Sequence, residues 1–123
     1  MRRITLLYIS LCLVVLLWGL NAVASAFYLY WTVWWYDVMM HFLGGVTLGC
    51  FALYFMPKIS KKTLIAAFSI VMIVSGAWEV FEYVTDISPA QEGANYAADT
   101  TQDLVLDAVG SGLVMLYVKR RTL

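Results

Sequence analysis

Four apolar stretches, each long enough to cross a bilayer, leave this chain of 123 residues little freedom to be anything but a membrane protein. A span needs about 20 consecutive apolar residues, and the stretches predict helices over residues 4–30, 36–56, 63–84 and 101–118. Short loops join them, apart from a longer one over 85–100. With 63% hydrophobic and 13% charged residues, almost nothing remains for a separate soluble domain. The segments are apolar nearly all round, which fits spans better than amphipathic helices lying on a surface. The expectation is all-α: one transmembrane domain over 1–123, folded as a four-helix bundle.

The charges divide cleanly between the two ends of that bundle. All eight Lys and Arg (Arg2, Arg3, Lys58, Lys61, Lys62, Lys119, Arg120, Arg121) fall on one side. All eight Asp and Glu (Asp37, Glu79, Glu82, Asp86, Glu92, Asp99, Asp103, Asp107) fall on the other, with the single histidine, His41. Cytoplasmic retention of Lys and Arg explains the basic side and places both termini in the cytoplasm of a cell (inner) membrane. Tyr28 to Trp31 and Trp34 to Tyr36 then form an aromatic belt at the outer interface, and Met56-Pro57-Lys58 ends the second helix. Nucleic acid is excluded as a partner, because the basic residues are short flanking clusters that topology already accounts for.

Three features have blander readings. Arg2-Arg3, an apolar run and Ala24-Ser25-Ala26 resemble a signal peptide, but the run stays apolar and aromatic through Tyr30, which favours a retained first helix. Cys12 and Cys50 lack metal-ligand spacing and read as packing residues. The outer loop carries turn-like Ser88-Pro89 and Glu92-Gly93 and reads as a solvated connector, with a lid over the acids as the sharper alternative. Gly45 and Gly49, and Ala108 and Gly112, have the four-residue spacing of close helix contacts.

The acidic side has no such topological explanation, since Asp and Glu contribute little to orientation. Asp37 and His41 are i, i+4 and share a helix face. Glu79, Glu82 and Asp86 share a face of the third helix, and Asp99, Asp103 and Asp107 align on the fourth if it begins early enough. At about 1.5 Å per residue, His41, Glu79 and Asp107 lie roughly 6–8 Å inside their outer helix ends, with Asp37, Glu82 and Asp103 in a shallower layer. Capping and exposure at the interface absorb Asp86, Glu92 and Asp99. The remaining six residues form a cup that lacks its own cation. Acids grouped within spans need a metal, shared protons or a cationic ligand.

Three blocks carry a family resemblance over residues 36–115. Tyr36-Asp37-Val38-Met39-Met40-His41-Phe42-Leu43-Gly44-Gly45 resembles the opening block of the YjdF-like family of small membrane proteins. Trp78-Glu79-Val80-Phe81-Glu82-Tyr83 resembles its second block. Asp99-Thr100-Thr101-Gln102-Asp103, with Asp107 and Gly110, resembles its third. The VanZ-like group has a similar layout. The resemblance implies a four-helix membrane fold with Asp37, His41, Glu79, Glu82, Asp103 and Asp107 as the shared polar set, and carries a site rather than a reaction.

The leading expectation is a divalent-metal site in the outer leaflet, with Asp37, His41, Glu79 and Asp107 as ligands. Glu82 and Asp103 are the candidate general base or supporting partner. Oxygen donors with one imidazole suit Mg, Mn, Fe or Zn. The chemistry expected is that of a metal-dependent hydrolase or transferase acting on an envelope lipid or phosphorylated headgroup. The partners implied are the lipid bilayer and such a headgroup, and a homo-oligomer is compatible. A proton- or cation-coupled transporter is the alternative, although the cytoplasmic halves hold no ionisable residue to continue a path. A scaffold subunit docking a basic partner is the third reading.

Overall fold

The computed structural model describes residues 2–87 and 95–122, and is all-helical there. The turn signals at Ser88-Pro89 and Glu92-Gly93, and the acid Glu92, lie outside the described residues. Helices α1 (Arg3–Phe27), α3 (Tyr36–Phe55), α4 (Lys61–Thr85) and α5 (Tyr96–Thr122) are each long and apolar enough to span a membrane, and α2 (Leu29–Thr32) is a single turn between the first two. Helices are the natural solution in hydrocarbon, where every backbone polar group must find its partner within the protein.

The helix ends depart from the apolar stretches for local reasons. Helix α1 stops at Phe27 because Tyr28 takes a left-handed conformation (φ 55°, ψ 35°) and donates its N–H to the Ala24 carbonyl. Such a conformation is uncommon for a residue with a side chain. Helix α4 starts at Lys61, ahead of the expected Thr63, because Ser60 and Thr63 form a reciprocal capping box. The Ser60 N–H donates to Thr63 Oγ1 at 2.8 Å and the Thr63 N–H donates to Ser60 Oγ at 3.3 Å. Helix α5 begins at Tyr96 rather than near residue 101, with the Ala97 N–H donating to Asn95 Oδ1. Apolarity marks how much of a helix lies in the membrane; the polar turns above it are helical as well.

Helix α3 is the hub. Helix α1 packs on α3, α4 packs on both α3 and α5, and the closest pairing is α3 with α5. That pairing depends on glycine. A Cβ at Gly45 would collide with the backbone of Asp107, and one at Gly110 with the Phe42 carbonyl and the Val46 nitrogen. A Cβ at Gly49 would sit 3.1 Å from Ser111 Cα. Small residues at a crossing let two backbones approach. The expected Gly45–Gly49 pair is therefore at the crossing, but its counterpart on α5 is Asp107, Gly110 and Ser111. Gly112 of the expected Ala108–Gly112 pair faces open space.

The two ends of the bundle are packed differently. At the basic end, Leu6, Leu53, Leu64, Ala67, Val71 and Val118 belong to an apolar core. Arg3 closes this end by donating from Nε and Nη2 to the Tyr54 carbonyl at 3.2 and 2.6 Å, which satisfies an orphan acceptor at the C-terminus of α3. Cys50 is buried in the same core, while Cys12 is exposed on α1; both are free thiols.

Candidate metal centre

Helix periodicity and the glycine crossing together build the site. Asp37 and His41 face the same way from successive turns of α3, and Asp103 and Asp107 do so from α5. Because Gly45 lets α5 approach at the level of Asp107, the two aspartates of α5 arrive on either side of the His41 ring. The Nε2 atom lies 3.6 Å from Asp103 Oδ2 and 3.8 Å from Asp37 Oδ1. The Nδ1 atom lies 3.6 Å from Asp107 Oδ2.

These separations decide what the cluster can do. At 3.6–3.8 Å none of them is a hydrogen bond. Donors held about 2.1 Å from one ion stand roughly 3–3.5 Å apart. Asp37, His41 and Asp103 each offer a ligand atom, all within 4.8 Å of one another, so the trio is close to what an ion would require. Asp107 stands at the opposite edge of the ring, where carboxylates orient metal-bound imidazoles.

Burial makes the arrangement costly without a cation. The side chains of Asp103 and Asp107 are only 3% and 7% exposed, and His41 is 10% exposed. Asp103 Oδ1 and Glu79 Oε1 are buried without a hydrogen-bond partner among the described residues, a state that ordinarily costs about 1–3 kcal/mol and more for a charged group. Every Lys and Arg of the sequence belongs to the basic end, so no guanidinium or ammonium of this chain offsets the acids.

The remaining acids take separate places. Glu79 is buried on α4, and its backbone carbonyl accepts from the Tyr96 hydroxyl at 3.1 Å, tying α4 to the start of α5. Glu82 accepts from the Trp78 indole at 2.8 Å, one turn away on the same helix. Asp86 is the exposed left-handed C-cap of α4 (φ 54°), and Asp99 lies in the first turn of α5. Asp99, Asp103 and Asp107 do share a helix, since α5 begins early. That early start also places Asp103 level with His41 rather than in a layer above it.

A cleft of about 750 Å³ leads to this cluster. It lies between α1 and α4, which do not touch each other among the described residues, and α3 forms its floor. Asp37, His41, Asp107 and Glu82 line its acidic end; Val14, Leu17, Leu48 and Val74 line the part running toward the basic end. Helix α1 is tied to α3 by the Tyr36 hydroxyl, which donates to the Leu20 carbonyl at 2.8 Å, and to α2 by Tyr30, which donates to Asn21 Oδ1 at 2.9 Å. Burial, then the nearby Asp37, pushes the Tyr30 phenol up to about 12, so it keeps its proton and remains a donor. The spacing of the acids gave no hint of Tyr30, Asn21 or the cleft. The i, i+4 pairing of Trp78 with Glu82 was legible in principle.

With the site in view, the chain belongs to the family of predicted membrane proteins DUF2238, whose model matches residues 1–122. The YjdF-like resemblance is consistent with that family. No curated protein and no solved structure matches the chain.

Proposed function

We propose that this member of the DUF2238 family binds a divalent metal ion between α3 and α5 and uses it on the headgroup of a membrane lipid. The observation that carries the reading is the His41 Nε2 atom faced by Asp37 and Asp103 at 3.8 and 3.6 Å. One Asp103 oxygen is buried with no partner among the described residues, and no Lys or Arg of the chain stands at that end. In this reading Asp37, His41 and Asp103 ligate the ion. Asp107, 3.6 Å from Nδ1, favours a proton on that nitrogen and so leaves Nε2 free for the metal. Asp103 thereby takes a ligand place that spacing assigned to Asp107 and Glu79, and Glu82 remains free to meet the substrate from the cleft wall.

An ion held by few protein ligands can polarise a phosphoryl or carbonyl oxygen, or activate a water. Oxygen donors with one imidazole suit Mg, Mn, Zn or Fe. A lipid is the substrate class favoured, because the cluster opens into a cleft between membrane helices. The positive-inside rule orients the acidic end outward, toward headgroups of the outer leaflet. The transporter reading fares worse: the basic half of the bundle is closed by Leu6, Leu53, Ala67 and Val71, which offer an ion no path.

Elemental analysis of the purified protein tests the proposal, alongside thermal unfolding with added Mg, Mn, Zn or Fe. The wild type is expected to carry an ion and to unfold higher when it is saturated, by about 2.7 kcal/mol at one hundred times the dissociation constant. Asp103→Asn and His41→Ala are expected to lose both signals. Absence of metal in every preparation, together with no thermal response to any of the four, would overturn it.

A further inference from the structure

The cleft between α1 and α4 has a polarity gradient that belongs to an amphiphile. Its acidic end holds Glu82 and Asp37 beside the aromatic rings of Trp18, Tyr30 and Trp78. Its other end is apolar, from Leu17 and Val14 on one wall to Val74 on the other. From Asn21 to Val14 and from Glu82 to Val74 the walls run about 10–12 Å at 1.5 Å per residue. That is most of one leaflet of a hydrocarbon core about 30 Å thick. Val14, Trp18, Val74 and Trp78 are exposed on the two helices that fail to meet, so the cleft opens sideways toward the acyl chains of the bilayer.

We propose that this cleft admits, from the side, one phospholipid whose headgroup ends in a primary ammonium. Charge complementarity selects that headgroup: the polar end offers carboxylates and no Lys or Arg. Glu82 is the contact for the ammonium, because the Trp78 indole at 2.8 Å fixes one of its oxygens on the cleft wall. Indole and phenol rings around a carboxylate are the usual surroundings of a recognised alkylammonium. Two turns further in, Ser75 Oγ is buried, lines the cleft and has no partner among the described residues. The hydroxyls of Thr47 and Ser111 bond back to the carbonyls of Leu43 and Asp107, but that of Ser75 is free to donate to an ester carbonyl of the lipid. One acyl chain then lies along Val14, Leu48 and Val74. The adjacent phosphate faces the Asp37–His41–Asp103 group, and this last contact alone rests on the metal reading.

Native mass spectrometry of the full-length protein, exchanged into phosphatidylethanolamine or phosphatidylglycerol of identical chains, tests the assignment. The wild type is expected to retain the ethanolamine lipid about tenfold better, and Glu82→Gln to lose that preference, in line with one charge-assisted contact. Val74→Trp, an exposed position where a larger ring fits the membrane, is expected to lose retention of both lipids while keeping its metal content; Val14→Trp repeats this from the opposite wall. Equal retention of the two lipids by the wild type overturns the proposal, as does a preference that survives Glu82→Gln or retention unchanged in both tryptophan variants. Asp103→Asn separates the two readings. Metal lost with the ethanolamine preference intact supports the cleft, and a wild type free of metal that still prefers the ethanolamine lipid ends the metal reading alone.

Discussion

The two ends of this bundle carry the same number of formal charges and use them in opposite ways. At the basic end, Lys and Arg stand at the surface around an apolar core, and Arg3 satisfies a helix terminus. At the acidic end, Glu79, Asp103 and Asp107 are turned inward, and two of their oxygens have no partner among the described residues. Burying uncompensated carboxyls is a poor way to build stability. A fold that does so at one end and not the other separates what holds the helices together from what the helices hold.

That contrast can be broken or sharpened by substitution. The largest effect on folding belongs to the crossing that both ends share. Gly45→Ala drives a methyl into the Asp107 backbone and is expected to destabilise by about 1–3 kcal/mol, read as a lower unfolding temperature in detergent. Gly112→Ala, which meets open space, is expected to leave that temperature unchanged. If the two behave alike, glycine does not set the α3–α5 distance. Next, Asp107→Asn is expected to weaken metal binding about 10–100-fold while the fold is retained. An unchanged affinity in a metal titration would show that the carboxylate at Nδ1 does not orient the ring. At the basic end, Ser60→Ala removes the capping box and is expected to cost about 1 kcal/mol with metal content untouched. Smallest is Arg3→Met: its bonds to the Tyr54 carbonyl are exposed, so a loss below about 1 kcal/mol is expected. A change of metal affinity in either basic-end variant would mean that the two ends are not independent.

Much of the fold was legible because membranes impose simple rules. Length and apolarity marked four spans, and the spacing of Asp37 with His41, and of Asp103 with Asp107, put each pair on one helix face. Helix ends were less legible. Apolarity could not see the polar first turns of α5, and the capping box that starts α4 at Lys61 lies outside its apolar run. The small-residue pattern named the right face of α3 through Gly45 and Gly49 but the wrong partner on α5. Two candidate pairs on one helix differ only in rotation about its axis, and packing chooses between them.

The sequence by itself determined a membrane bundle with one end basic, one end acidic, and an acid–imidazole set short of a cation. Those properties follow from composition and from periods within single helices. Only the tertiary structure decided that Asp103 shares Nε2 of His41 with Asp37 while Asp107 faces Nδ1. Only it left α1 clear of α4, with a cleft between them. Both outcomes depend on how closely separate helices approach and at what register. That distance is set where a missing Cβ lets one backbone rest on another, which no period along a single helix records.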